Sequence, residues 1–456
     1  MIEVGKKYIV KIEGYNHKGS GIAHVDKFVV FIPDVIIGEI VEIIVKKVNK
    51  NYGYGEVVDI LSVSNLRVMP VCDIYKKCGG CNLQHMEYKE QVNFKENKII
   101  ESLEKIGKLK NVKIDKFYSM SIPYEYRNKV QVPFGIVDGF VSAGFYENKS
   151  HKIINMDFCH IQFKEANDIV VKTREYMKQK NIAPYDEVVH YKFGKDFGLF
   201  RHLLIRKGYN TNEIMVVVVL TEENEKFLNN YVKYLLLHCK NIKTIVLNVN
   251  NNITNVILGN YEKVLYGDGY IRDKINDFVF RIHSRSFFQV NTKQAEKLYL
   301  SAIDMAELKY SDILLDAYCG IGTIGICSSR RVKKVYGIEE VKESIIDANE
   351  NKVLNNIKNV EFIHGKVEEE ILNLVNNGIN ITVAILDPPR KGVKESVLHA
   401  LREIKCKKIV YISCDVGTLA RDAKILVSLG YNVSKIRGVD MFCQTHHVET
   451  IVCFKL

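Results

Sequence analysis

No stretch of the chain approaches the roughly 18 consecutive apolar residues that a membrane-spanning helix needs. The N-terminus, MIEVGKKYIVKIEGY, lacks the extended apolar stretch of a secretion signal. Secretion and membrane spanning are therefore not expected, and a cytoplasmic location is. No internal repeat or low-complexity tract is apparent. Without an export signal, the 11 cysteines are expected as reduced thiols, metal ligands or catalytic groups, not as a disulfide framework. What is present is an ordinary globular composition, 47% hydrophobic and 26% charged. At 456 residues the chain has room for roughly two to four domains. The 65 Lys and Arg against 54 Asp and Glu leave a net charge of +11. Such an excess suits a polyanion, because each neutralised phosphate releases counterions. Lysine is abundant throughout, so the charge by itself only favours nucleic acid.

Residues 1–60 read as a small β module. KYIVKIEGY, FVVFIPDVI, EIVEIIVKKV and YGEVVDIL are β-branched runs separated by Gly, Asn and Asp turns at hairpin-like spacing. An OB-like barrel fits them, and such barrels often bind oligonucleotides. The pattern GxGIAHVDKFVVFIPDVIIGE also resembles the TRAM domain, an RNA-binding barrel attached to RNA-modifying enzymes. Residues 61–283 form a less regular α/β middle with three clustered cysteines and a helix around Tyr88 to Ile106. From Ser284 the pattern sharpens. Ala295, Leu298, Tyr299, Ala302, Ile303 and Ala306 share one helical face behind Asn291, a candidate N-cap. The runs DILLDAY, KKVYGI, VEFI, TVAILD and KIVYIS then alternate with helical segments, predicting a doubly wound Rossmann-like α/β domain over 284–456. The last two runs, YNVSKI and VETIVCF, follow each other directly and predict an antiparallel edge pair.

DAYCGIGTIGI follows the first strand of this domain. Its Gly320-x-Gly322-x-x-Gly325 lets a backbone approach a nucleotide closely, but the spacing would suit a dinucleotide equally well. Glu339, ending the next strand, is placed to accept hydrogen bonds from ribose hydroxyls. The fourth strand separates the two: AILDPPRKG ends in Asp387-Pro388-Pro389, similar to the fourth motif of Rossmann-like S-adenosylmethionine methyltransferases. Members acting on exocyclic amines usually carry an aromatic residue after the prolines, where this chain has Arg390.

KKIVYISCDVGTLARD places Cys414 at the carboxyl end of the fifth strand. Uracil C5 is a poor nucleophile. Addition of a thiolate to C6 turns C5 into an enolate-like carbon able to attack a sulfonium methyl group, after which a base must remove the C5 proton. Cys414 is the candidate thiol, and Glu449, in THHVETIVCF, the candidate base. A free thiol titrates near ~8.5, so a helix N-terminus or basic neighbours should lower Cys414. Arg421, His446 and His447 are candidate contributors. Cys319, Cys327, Cys406, Cys443 and Cys453 read as packing residues.

Together SFFQVN, DAYCGIGTIG, GIEE, ILDPPRKG, ISCD…TLARD and HHVET resemble the RNA uracil-5-methyltransferase family, whose members also join a TRAM domain to a cysteine-bearing middle. The resemblance implies that Gln289, Tyr318, Glu339 and Asp387 contact S-adenosylmethionine, that Cys414 is the nucleophile and that Glu449 accepts the proton. The family commonly has a proline shortly after the cysteine; Val416-Gly417 stand here instead.

VCDIYKKCGGCNLQHM gives Cys72-x5-Cys78-x2-Cys81, with Cys159 as a distant fourth and Cys239 also available. Four thiolates hold a [4Fe–4S] cluster or a structural zinc. The 23S rRNA branch of the family resembles this arrangement, with all four cysteines on a [4Fe–4S] cluster, whereas the tRNA branch generally lacks it. Radical enzymes use Cys-x3-Cys-x2-Cys, unlike the gap of five here. The reading that results is methylation of uridine C5 in 23S rRNA, with no obligate protein partner inferred. The same chemistry on tRNA is the alternative, and a cytosine-5 methyltransferase and a silent, cluster-bearing RNA-binding or assembly protein are further rivals. Arg127, Lys129, Arg201 and Arg206 are candidate phosphate contacts.

Overall fold

The computed structural model of the protein describes residues 2–148 and 150–456. The N-terminal segment folds as β1 (Lys7–Lys11), β2 (Gly14–Tyr15), β3 (Gly21–Val25), β4 (Phe28–Ile32), β5 (Ile40–Val48) and β6 (Tyr52–Ser62). They form one curled sheet, in the order β1-β5-β6-β4-β3-β2, a half-barrel. Alternate residues such as Val41, Ile43 and Val45 of β5 point inward and are buried, as a pleated strand with one covered face requires. The short β2 and β3, with Gly14 and Gly21 at their starts, are not legible as β-branched runs.

The middle begins with α1 (Tyr88–Lys105) and β7 (Lys116–Tyr118). There follow β8 (Lys129–Val137), β9 (Phe140–Tyr146), β10 (Ile153–Asn155), α2 (Lys164–Gln179), α3 (Glu187–Phe193), β11 (Phe200–Lys207), β12 (Ile214–Leu220), α4 (Glu225–His238), β13 (Ile242–Val249) and β14 (Tyr261–Tyr266). A seven-stranded sheet, β10-β9-β8-β11-β12-β13-β14, is antiparallel except between β12 and β13. Every residue of β12, IMVVVVL, is buried. Ile214, Val216, Val218 and Leu220 pack with Leu228 and Tyr231 of α4, whereas Met215 and Val217 belong to the core of the C-terminal domain. Two covered faces are why the run is apolar without alternation.

The hairpin β15 (Tyr270–Ile275) and β16 (Phe278–His283) leads into α5 (Thr292–Ala306). Then β17 (Ile313–Ala317), α6 (Thr323–Ser328), β18 (Lys334–Glu339), α7 (Lys342–Leu354), β19 (Val360–His364), α8 (Val367–Asn376), β20 (Val383–Leu386), α9 (Glu395–Glu403), β21 (Lys408–Ser413) and α10 (Val416–Ser428) alternate as expected. Asn291 caps α5, its side chain accepting from the Gln294 amide at 3.3 Å. The closing strands are β22 (Asn432–Val439) and β23 (Glu449–Lys455). The sheet order is β19-β18-β17-β20-β21-β23-β22-β7, parallel from β19 to β21.

Two expectations change. The last two strands are antiparallel, but β23 lies inside the sheet between β21 and β22, and β7 covers the far side of β22. The segment expected to belong to a central unit over 61–283 also divides. Ile99 and Leu103 of α1 share a core with Leu386, Leu398, Tyr411 and Leu419 of the last domain, and the hairpin's Ile271, Phe278 and Phe280 pack with Leu298 and Leu314. Sequence proximity does not reveal which apolar face a helix will cover. Among the described residues, no helix is long and apolar enough to cross a membrane.

Candidate active site

The parallel sheet reverses winding between β17 and β20, and ligands of open α/β sheets sit outside the carboxyl ends of the strands at such a point. The register brings the expected residues there. Ala317 lies beside Ile338 and Leu386, so Tyr318, Glu339 and Asp387 occupy neighbouring strand ends. Leu386 lies beside Tyr411, and Ser413 beside Thr450. Cys414 therefore leaves β21 at the level where Glu449 enters β23, putting thiol and carboxylate on adjacent strands of one edge. Gln289 comes from the turn before α5. Its backbone carbonyl accepts from Asn128 Nδ2 at 3.0 Å, and its side chain lies near the Tyr299 phenol.

Gly320 and Gly322 have φ of +53° and +81°. A Cβ on Gly322 would stand 2.4 Å from the Phe362 ring, whereas one on Gly320 would meet nothing within 4 Å. The Gly320 amide donates to Glu339 Oε2 at 3.1 Å, and the Val341 amide to Oε1 at 2.9 Å, which fixes the ribose-facing candidate. Tyr318 holds a left-handed φ of +64°, which for a bulky residue is strain of the kind that collects at functional sites. It borders a cavity of about 600 Å³ with Glu340, Lys366, Pro389 and Arg421.

The site's charges run against one expectation. Burial, and then the charge of Glu449, raise the Cys414 thiol to about 11, with Arg390 pulling it down. Burial, with Asp387 beside it, raises Glu449 to about 8, again opposed by Arg390; burial raises Asp387 to about 7. Arg421 instead pairs with Asp422 and donates to the Lys391 carbonyl at 3.0 Å. Burial lowers His446 to about 3 and His447 to about 4, so both rings are neutral near pH 7. The cation near thiol and base is thus Arg390, and in the free protein the thiol is protonated. Sequence reading also left Tyr299 as a core residue. Its phenol is buried where the charges of Asp387 and Glu449 reach it, and a polar tip on an apolar helical face was the only signal.

Val416 and Gly417 open α10, and the turn before them is held by hydrogen bonds. Asp415 is the N-cap, accepting from the Thr418 amide at 2.9 Å, and Ser413 Oγ donates to the Asp415 carbonyl at 2.9 Å. The cap satisfies one of the free helix N–H groups, and no proline presets the first helical position.

A second cavity, of about 610 Å³, lies in the middle of the chain. Cys72, Cys78, Cys81 and Cys159 all line it, together with Arg127 and Lys129. Cys239 does not; it ends α4 and packs against the core of the central sheet. The other packing cysteines (319, 327, 406, 443 and 453) are buried. Burial raises Cys81 to about 12 and Cys159 to about 11, so these are neutral thiols until something binds them. Arg201 and Arg206 are not phosphate contacts. Both are buried, Arg201 donating to the carbonyls of Asn250 and Asn252 at 2.8 Å and Arg206 to that of Ser286 at 2.6 Å.

Comparison with known proteins agrees with this geometry. The tRNA (Uracil-5-)-methyltransferase family matches residues 238–455, and the TRAM domain matches residues 2–58. An RNA methyltransferase of Clostridium acetobutylicum is 45% identical over 456 residues, covering 100% of this chain and 98% of its own. One of Listeria innocua is 44% identical over 445 residues, 98% of this chain and 96% of its own. The crystal structure of Pyrococcus abyssi tRNA (uracil-54, C5)-methyltransferase in complex with S-adenosyl-L-homocysteine superposes with a TM-score of 0.77 at 28% identity, covering 98% of this chain and 99% of that one. The chain belongs to the TRAM-containing RNA uracil-5-methyltransferase family, S-adenosylmethionine-dependent enzymes of RNA modification.

Proposed function

We propose that this enzyme methylates C5 of a uridine in 23S rRNA, with Cys414 as nucleophile, Glu449 as base and a [4Fe–4S] cluster on Cys72, Cys78, Cys81 and Cys159. The observation that carries the rRNA reading is the single cavity lined by all four thiols. Gln289, Tyr318, Glu339 and Asp387 hold the cofactor at the switch point. S-adenosylmethionine, when bound, supplies a methyl group on a sulfonium centre.

The target base must leave its stack, at a cost of a few kcal/mol. Cys414 gives up its proton to solvent and its sulfur bonds to uracil C6, while the C5–C6 π pair moves onto C5 and O4. C5 would then be placed to take the methyl group, the electron pair of the broken S–CH3 bond remaining on sulfur. Glu449 removes the C5 proton, the freed pair re-forms the double bond, and the Cys414 thiolate is expelled. Arg390 stabilises both anions, since it lowers the thiol and the carboxyl alike.

The four cysteines suit a cluster in position and chemistry. All four line one cavity, and thiolates are ligands of iron–sulfur clusters and of zinc alike. Thiolate ligation would tie the 72–81 segment to Cys159 and shape the surface near Arg127 and Lys129; it enters no chemical step.

The likeness to the Pyrococcus abyssi enzyme favours tRNA as the second reading. Mapping 5-methyluridine in 23S rRNA and tRNA from cells with and without the gene decides between them. Loss confined to 23S rRNA supports the proposal, and loss confined to tRNA overturns it.

A further inference from the structure

The loop Asp440–Val448 delivers Glu449 into β23. It is irregular yet deeply enclosed: Asp440, Met441 and Cys443 are 0% exposed and Gln444 2%. Buried irregular backbone must find hydrogen-bond partners outside secondary structure. Here several of them come from one helix. Tyr88, Gln91, Lys95 and Lys98 of α1 are spaced three and four residues apart and share one face of that helix. Each reaches the loop. Tyr88 Oη donates to Asp440 Oδ2 at 2.8 Å, and Lys95 Nζ to Asp440 Oδ1 at 2.5 Å and to the Phe442 carbonyl at 3.1 Å. Lys98 Nζ donates to the His446 carbonyl at 2.8 Å.

Gln444 is the centre of the clamp. It holds a left-handed φ of +67°, a conformation that a non-glycine residue keeps only when its surroundings over-determine it. Gln91 grips it at both ends, Nε2 donating to Gln444 Oε1 at 2.9 Å and Oε1 accepting from the Gln444 amide at 3.1 Å. The Gln444 carbonyl accepts from the amides of Asn82 and Leu83 at 3.0 and 3.1 Å. All of these contacts fall on the loop between β22 and β23. Their shared effect is to fix a strained backbone five residues before Glu449.

We infer that Gln91 and Gln444, with the polar face of α1, are positioning residues for Glu449 that set the rate of C5-proton removal without touching RNA or cofactor. The inference rests on Glu449 being the base. A carboxylate displaced from the C5 proton leaves thiol addition and methyl transfer intact and stalls the enzyme as a covalent protein–RNA adduct that already carries the methyl group.

The test is single-turnover methylation of bulk RNA from cells lacking the protein, using S-adenosylmethionine with a tritiated methyl group. Denaturing gels separate label on the protein–RNA adduct from label on free RNA. For Gln91→Leu and Gln444→Gly, adduct decay is expected to slow about tenfold or more, with methyl transfer and the KM for RNA within about threefold of wild type. Gln444→Gly relieves the backbone strain, so it reports on the clamp even if Gln91→Leu fails to fold. Glu449→Gln is run beside them. If Glu449→Gln releases product at the wild-type rate, the base assignment falls. If it traps the adduct while both clamp variants release normally, or if methyl transfer and release drop together in both, the inference alone is overturned.

Discussion

The protein holds two thiol sites that obey opposite logic. Cys414 stands alone at the end of a rigid strand, with Glu449 on the neighbouring strand and Arg390 as its cation. Cys72, Cys78, Cys81 and Cys159 stand together in a cavity, and for Cys81 the charges that reach it are those of the other three. Burial is the largest influence on every one of the five, and it raises them all. What distinguishes them is the partner each needs to become a thiolate. In the proposed function the isolated thiol would lose its proton as it adds to a carbon, and the gathered thiols would lose theirs to a metal, which would compensate several buried anions at once.

The largest effect that would break this comparison concerns Cys414. Cys414→Ala is expected to lose methyl transfer by on the order of 10³-fold or more while leaving iron content unchanged, measured by label incorporation and by iron analysis of anaerobically purified protein. Near-normal transfer would remove the nucleophile from the mechanism.

A smaller effect comes from pH. As the proposed base, Glu449 would act only when ionised, and its carboxyl is raised to about 8. Adduct breakdown should therefore quicken as pH rises and level off above about 8. A rate flat from about pH 6 to 9 would exclude Glu449. Stability moves the other way. A carboxyl raised on folding contributes stability that is full below its unfolded value of about 4 and is lost as pH climbs through the folded value. Thermal melts of the ligand-free protein should fall between about pH 5 and 8, less steeply in Glu449→Gln.

The smallest effect on turnover, and the sharpest on the second site, comes from Cys159→Ser. It should lower bound iron, whereas Cys239→Ser should not. Equal losses would mean that the fourth thiol is misassigned, and zinc in place of iron would replace the cluster by a single ion.

Much of the candidate edge was legible because its placement depends on local order along the chain. An apolar strand followed by Asp387-Pro388-Pro389, or by Cys414-Asp415, carries its own turn, and alternating winding puts each such end on the same edge. Arg201 and Arg206 were misread because basic residues on strands look alike whether they face solvent or satisfy buried carbonyls. Cys414's titration was misjudged for a related reason: burial outweighs the helix terminus and the nearby histidines, and burial is a property of the whole fold.

The sequence by itself determined the domain types, the glycine turn, the acid-Pro-Pro turn and the two thiol motifs, because each is written in neighbouring residues whose conformations are set locally. Tertiary structure alone decided that β23 is an inner strand that buries Glu449, that Cys159 and not Cys239 joins the other three thiols, and that α1 leaves the middle segment to grip Gln444. Those outcomes depend on which surfaces meet over hundreds of residues, such as the 353 that separate Gln91 from Gln444. Hydrophobic periodicity marks which face of an element is buried and carries no record of what buries it.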